Sequence, residues 1–307
     1  MSRLLSLIIP ALNEEAVLSE SFSQMDAAMA ALQGYDYEII YVDDGSKDGT
    51  WAGLTALAEA HPQVRALRFS RNFGHQLAVT AGMDAARGDA LVIIDIDLQD
   101  PPAVIGELVK AWEQGADIAY GQRTRREGET IFKRFTAWCY YRLLSSMSAW
   151  PIPLDTGDFR LLDRAVADDF LRMREHDRFL RGMSAWMGYH AVAVPYVRHE
   201  RAAGSTKYSF RKMLKLAMAG ILGFSGRPLT LAGYAGCLVC FASLLGIIAR
   251  GIFGGPGWVA AFCALCLLQG IILIVQGIQG AYLNRIYDEV RGRPLYIVRD
   301  DTGKNTL

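Results

Sequence analysis

The chain has 307 residues, enough for one large domain or two smaller ones, and its charge is balanced at 32 Lys+Arg against 32 Asp+Glu. No excess of positive charge is present to neutralise a phosphate backbone, so no nucleic-acid partner is expected. The apolar content of 51% is unevenly placed: ordinary globular sequence runs to about Pro228, and two long uncharged runs follow.

In chain order, Leu4-Leu5-Ser6-Leu7-Ile8-Ile9-Pro10 has the continuous apolar pattern of a buried strand, followed by Asn13-Glu14-Glu15 and a helical stretch. Tyr37-Glu38-Ile39-Ile40-Tyr41-Val42 predicts a second strand, running into Asp43-Asp44-Gly45-Ser46 and a helix with Trp51, Leu54 and Leu57 on one face. Residues 64–69 and 90–94 read as further strands, separated by a helix over 76–86. Strands alternating with helices predict an α/β domain with a doubly wound, mostly parallel sheet.

The strand at 90–94 is followed by Asp95-Ile96-Asp97-Leu98-Gln99-Asp100-Pro101-Pro102. Alternate side chains of an extended segment point the same way, so Asp95 and Asp97 converge on one hard cation with Gln99 as a third oxygen donor, and that cation would bridge phosphate oxygens. A polar turn capping the next helix is the bland alternative. Against it, three successive strands end in acids or amides: Asn13/Glu14, Asp43/Asp44 and Asp95/Asp97. They share the edge where open α/β sheets bind ligands. Neither a dinucleotide fingerprint nor a GxxxxGK[ST] loop occurs, which leaves phosphate neutralisation to a metal.

Basic residues cluster further on: Arg123, Arg125 and Arg126, then Lys133 and Arg134 before an aromatic helix at 135–144, and Arg198, Arg201 and Lys207. Solvated charge runs are the alternative to phosphate binding. Residues 208–224 place Phe210, Met213, Leu214, Ala217, Met218 and Ile221 at helical spacing, with Arg211, Lys212 and Lys215 on another face. Such a helix lies at a membrane interface or packs on the domain's own core.

The uncharged runs 229–249 and 259–283 are each long enough to cross a bilayer as a helix, and the short Gly- and Pro-rich link between them makes a hairpin. Arg227, Arg285, Arg291 and Arg293 outnumber Arg250 of the loop, which puts both termini in the cytoplasm; the start at Met1 lacks a signal peptide's features. Cys237/Cys240 and Cys263/Cys266 lie inside these runs and read as small packing residues, not zinc ligands. The expected divisions are 1–204 (catalytic), 205–228 (amphipathic helix), 229–285 (the two spans) and 286–307 (tail).

Ser6 to Glu14, Val42-Asp43-Asp44-Gly45-Ser46, Asn72-Phe73-Gly74-His75-Gln76, the Asp95 to Pro102 segment and Arg201-Ala202-Ala203-Gly204-Ser205-Thr206-Lys207, in this order, resemble the family 2 glycosyltransferases of GT-A fold. Among these the likeness is to polyprenyl-phosphate glycosyltransferases, which include dolichol-phosphate mannose synthase. Leu154 to Arg160 and Arg178 to Met183 look most like the bactoprenol glucosyltransferase branch. The resemblance implies that Pro10, Glu14, Asp44, Asp95 and Arg123 bind the nucleotide sugar, and that Asp95, Asp97 and Gln99 hold Mg2+ or Mn2+. It implies a lipid-phosphate site at Lys133, Arg134, Arg201 and Lys207, where Ala137 departs from a Ser common in the branch. Asp158 takes the position of the catalytic base, with contact to a sugar hydroxyl as the alternative. The implied reaction is inverting transfer of a hexose, glucose first, from a UDP-sugar to polyprenyl phosphate, by a homo-oligomer in a bacterial inner membrane. A processive polysaccharide synthase lacks support because no Gln-x-x-Arg-Trp occurs, and a catalytically silent scaffold is disfavoured by the intact acids and bases.

Overall fold

The computed structural model describes residues 2–126, 156–198, 241 and 257–305. Among them the chain runs β1 (Arg3–Ala11), α1 (Leu18–Ala30), β2 (Tyr35–Asp43), α2 (Thr50–Ala60), β3 (Val64–Phe69), α3 (His75–Ala85) and β4 (Ala90–Ile93). A 3-10 turn at Pro102–Val104 leads into α4 (Ile105–Glu113), then β5 (Ile118–Arg126). The remainder is β6 (Thr156–Asp163), α5 (Arg164–Arg172), α6 (Leu180–Trp186), β7 (Ala191–Arg198), α7 (Gly257–Val290) and β8 (Val298–Asp301).

The strands make one sheet in the order β7-β5-β6-β4-β1-β2-β3-β8. β4, β1, β2 and β3 are mutually parallel, as the alternation of strands and helices requires. Beyond them the sheet is mixed but stays mostly parallel, as expected: β5 and β7 pair parallel and run with β1 to β4, while β6, antiparallel to both β4 and β5, and β8, antiparallel to β3, are reversed. Leu5, Leu7, Ile8 and Ile9 of β1 are all fully buried, on both faces of the strand, because β1 is central and covered on each side. Each such side chain contributes about 1.5–3 kcal/mol of transfer free energy. Gly82 of α3 lies against Ile8, closer than a Cβ would permit, so the helix seats directly on β1 and carries its N-terminus to the acidic edge.

Two compact units are present. The described part of the first is 2–126, 156–198 and 294–305, and that of the second is 241 and 257–293. The tail expected at 286–307 thus supplies the sheet's eighth strand. Within the second unit α7 is one helix of 34 residues. It contains the run 259–283, but it also holds Gln269, Gln276 and Gln279 and continues through Arg285, Asp288 and Glu289. Among the described residues no helix is long and apolar enough to cross a membrane. The expected transmembrane hairpin finds no support there, and the expected multi-pass placement in a bacterial inner membrane is corrected accordingly. Apart from Phe241, the other run, 229–249, lies outside the described residues, as do the helices expected at 135–144 and 208–224, Lys133, Arg134, Ala137, Arg201, Lys207 and Cys237/Cys240. The side chains of Arg125, Arg126, Cys263 and Cys266 also lie outside them.

Candidate active site

The carboxyl ends of β1, β2 and β4 share one edge, since the three strands are adjacent and parallel. The loops there brace one another. Asn13, at φ 53°, accepts from Lys47 N through Oδ1 at 2.8 Å, and its own N–H donates to Ser46 Oγ at 2.8 Å. Glu14 N donates to Thr50 Oγ1 at 2.9 Å, its side chain is half-buried, and Pro10 is buried at the end of β1.

Asp44 is buried and turned to a backbone task. Its carboxylate accepts from Phe73 N at 2.6 Å and from Gly74 N at 3.0 Å, which fixes the loop leading into α3. Burial raises its pKa against the opposing pull of those two amides. Gly45 beside it has φ 74°, and a Cβ there would stand 2.6 Å from the Arg71 carbonyl carbon, so only glycine fits.

The loop that Asp44 holds delivers His75 and Gln76 to the acids. His75 Nε2 lies 3.2 Å from Asp158 Oδ2 and 3.7 Å from Asp95 Oδ1. Gln76 Nε2 donates to the same Asp158 oxygen at 3.0 Å, while Gln76 Oε1 accepts from Leu180 N at 2.9 Å, tying α3 to the start of α6. Arg181 Nε is 3.2 Å from Asp158 Oδ1. Buried Arg160 donates to Ser184 Oγ at 2.6 Å and to Gly157 O at 3.0 Å.

These contacts set the charges. Burial pulls His75 down, but Asp95 and Asp158 outweigh it and lift its pKa to about 9. Burial raises Asp158, yet Arg181, His75 and Arg160 hold it well below the usual carboxylate range. Asp95 is pushed up to about 6, first by burial and then, against the pull of His75, by the negative charges of Asp97, Asp158 and Asp100. Arg160 falls to about 10, chiefly through burial. At neutral pH His75 is therefore an imidazolium and Asp158 an anion with little proton affinity.

Asp95 and Asp97 follow the end of β4 without continuing it. Asp97 is buried and accepts from Gln99 N at 3.2 Å, and between them Leu98 adopts φ 56°, a left-handed conformation rare for a branched side chain. Gln99 Oε1 accepts from Arg198 Nη2 at 2.9 Å. Among the described residues no group of three or more His, Cys, Asp and Glu is set to hold a metal ion by itself. The adjacent Asp95 and Asp97 carboxylates nonetheless fit Mg2+ or Mn2+, because these ions are commonly bound through one or two carboxylates plus substrate phosphates.

Arg123, on β5, donates to Tyr196 Oη at 3.1 Å and to Asp100 Oδ2 at 3.5 Å. Gly157 makes room for its guanidinium, since a Cβ at that position would collide with Arg123 Nη2. Of the residues expected at the site, the fold brings Asp95, Asp97, Arg123 and Asp158 into one charged group with direct or electrostatic contact. It sets Asp44 one step behind, on the His75 loop. Sequence reasoning missed His75, Gln76, Asp100 and Arg181 as site residues. The signal for the first two was present, because Asn72-Phe73-Gly74-His75-Gln76 opens a helix at the same sheet edge.

Comparison with known proteins gives the family. The model of "Glycosyl transferase family 2" matches residues 6–171. An uncharacterized glycosyltransferase, YkcC of Bacillus subtilis, is 46% identical over 97% of this chain and 94% of its own length. The SfII prophage-derived bactoprenol glucosyl transferase of Shigella flexneri is 38% identical over 96% of this chain and 97% of its own. A solved mannosyltransferase from Pyrobaculum calidifontis, in complex with GDP-Man and Mn2+, is 17% identical, covers 94% of this chain and 88% of its own, and superposes with a TM-score of 0.47. The family model spans β1 to β4 and every acid they deliver, so the chain belongs to the glycosyl transferase family 2.

Proposed function

We propose that this glycosyltransferase moves a hexose, glucose by preference, from UDP-glucose to the phosphate of a polyprenyl phosphate, with inversion at the anomeric carbon. One observation carries this reading: relatives named bactoprenol glucosyl transferase match 96–98% of the chain at 38% identity, so the likeness extends well past the shared family domain.

In this reading Asp95, Asp97 and Gln99 would hold Mg2+ or Mn2+, and the ion would neutralise the charge developing on the leaving nucleoside diphosphate. Pro10, Glu14 and Asp44 border the nucleotide; Asp44 acts by holding the Phe73–Gly74 amides. Arg123 faces the phosphates, with Lys133, Arg134, Arg201 and Lys207 assigned to the acceptor phosphate. That acceptor is already largely anionic near neutral pH, so the reaction asks mainly for positioning and electrostatic stabilisation. The low proton affinity of Asp158 supports a role in anchoring His75 and Arg181, or in accepting from a sugar hydroxyl, over that of a general base. His75, protonated and partly exposed, stands ready to donate a hydrogen bond to substrate oxygen.

The test is transfer by the purified full chain from UDP-glucose, UDP-galactose, UDP-N-acetylglucosamine and GDP-mannose to undecaprenyl phosphate dispersed in detergent. Glucosylated lipid phosphate is the expected product, and sugar appearing only on a saccharide acceptor, with every donor, would refute the acceptor assignment. Asp97→Asn is expected to lower turnover by about 100-fold or more, the scale of several kcal/mol of metal-dependent stabilisation, with an unchanged melting curve as the control.

A further inference from the structure

Asp100 ends the acidic loop and is 1% exposed. The proposed function gives it no role, yet three side chains from two strands converge on it. Tyr196 Oη, on β7, donates to Asp100 Oδ1. Arg198 Nε, two residues along β7, lies 3.3 Å from the same oxygen. Arg123 Nη2, on β5, donates to Asp100 Oδ2 at 3.5 Å. The two strands are neighbours in register, with Arg123 opposite Tyr196. Tyr196 Oη also accepts from Arg123 Nε at 3.1 Å, and Arg198 Nη2 donates to Gln99 Oε1 at 2.9 Å.

We infer that Asp100 is a positioning residue that presents Arg123 and Arg198 as a paired cation to a substrate phosphate. One carboxylate set between two guanidiniums leaves a net positive charge. Hydrogen bonds hold Arg123 through Nε and Nη2 and Arg198 through Nη2, and an ion pair with Asp100 holds Arg198 Nε, so each guanidinium is oriented before substrate arrives, and less is lost on binding. The same short loop carries Asp95 and Asp97. The acids assigned to the metal and the anchor of the two arginines are therefore held at a fixed separation, as a diphosphate spanning metal and guanidinium requires. Phosphate oxygens are the shared ligand chemistry; the donor's diphosphate and the acceptor's monophosphate are its two sources.

This inference rests on the proposed transfer reaction, and the experiment separates the two. The full chain, Asp100→Asn and Tyr196→Phe are compared for UDP binding in Mg2+ by calorimetry and for steady-state transfer to undecaprenyl phosphate. Tyr196→Phe removes only the hydroxyl and keeps the ring contact with Phe159, 5.7 Å between centroids, so it guards against a folding failure in Asp100→Asn. Asp100→Asn is expected to raise one KM about 10- to 100-fold, as loss of a supporting hydrogen-bond partner commonly does, with Tyr196→Phe moving the same KM by a smaller factor. A rise in donor KM with weakened UDP binding assigns the pair to the diphosphate; a rise in acceptor KM with intact UDP binding assigns it to the lipid phosphate. Both variants matching the parent in UDP binding and in both KM values, whatever their melting temperatures, overturns the inference. A parent that binds UDP but leaves the lipid unmodified overturns the acceptor reading alone; the binding arm then decides for Asp100. A parent that binds no UDP overturns both.

Discussion

At the scale of single residues, the acidic edge stores a conflict that function resolves. Asp95 is raised to about 6, first by burial and then by the crowding of Asp97, Asp158 and Asp100, so the folded protein holds a proton there that the unfolded chain has released. Stability therefore falls as pH rises from the ordinary aspartate value through about 6. Asp95→Asn is expected to raise the melting temperature at pH 7 while lowering transfer at least about 100-fold, measured by scanning calorimetry beside an activity assay; a lower melting temperature would contradict the charge-crowding argument. His75 gives a slope of the same sign in a higher pH window. Its pKa is lifted from 6.5 to about 9 despite burial, because Asp95 and Asp158 favour the imidazolium. Its contribution is complete below about 6.5 and is lost as pH passes through about 9. The melting temperature is thus expected to decline across that window, and His75→Gln to flatten the decline. Neither charge state was legible in the sequence, where His75 lies 20 and more residues from both of its partners and only the fold makes them neighbours.

At the level of elements, β1, β2 and β4 were readable from runs such as Leu7 to Ile9, Ile39 to Val42 and Ala90 to Ile93, which mark strands buried on both faces, whereas β3 interleaves Arg65 and Arg68 with buried apolar residues. Helix α3 was expected over 76–86 and spans His75–Ala85. β5, β6 and β7 escaped the sequence reading: polar and charged positions, Arg123, Asp158 and Arg160 among them, break the apolar pattern of β5 and β6, and Pro195 interrupts the apolar run of β7. Those exceptions are where the site lies, since a strand that faces substrate cannot be apolar throughout. The turns are stricter than the strands. Gly45→Ala is expected to cost about 1–3 kcal/mol from its left-handed backbone alone, and more from the approach to Arg71. Denaturant titration measures it, and a midpoint equal to the parent's would show the loop to be yielding. Gly157→Ala has a different target, the guanidinium of Arg123, which must move aside from Tyr196 and Asp100; the expected outcome is a rise in the same KM that Asp100→Asn raises.

At the scale of the whole molecule, the chain returns after α7 to finish its first unit. β8 pairs antiparallel with β3, Arg65 binds Asp301 through two hydrogen bonds of 2.9 and 3.1 Å, and Tyr296 stacks on Phe69 at 5.1 Å. Removing residues 294–307 leaves β3 as an open edge, a template for pairing with other chains. Such a truncation is expected to aggregate on warming, seen as light scattering that the full chain lacks, and a monodisperse truncation of unchanged melting temperature would show β8 to be dispensable. From the sequence came the four parallel strands β1 to β4, the shared edge where their acids emerge and the resemblance to a glycosyltransferase family. All of these follow from local apolar periodicity or from motifs contiguous in the chain. The placement of β5, β6 and β7 beyond β4, the reversal of β6, the strand contributed by the tail, the shifted protonation of His75, Asp95 and Asp158, and the contacts of two arginines with Asp100 came from the folded chain alone. Each of these depends on residues distant in sequence meeting at a shared depth of burial, and no local pattern encodes such a meeting.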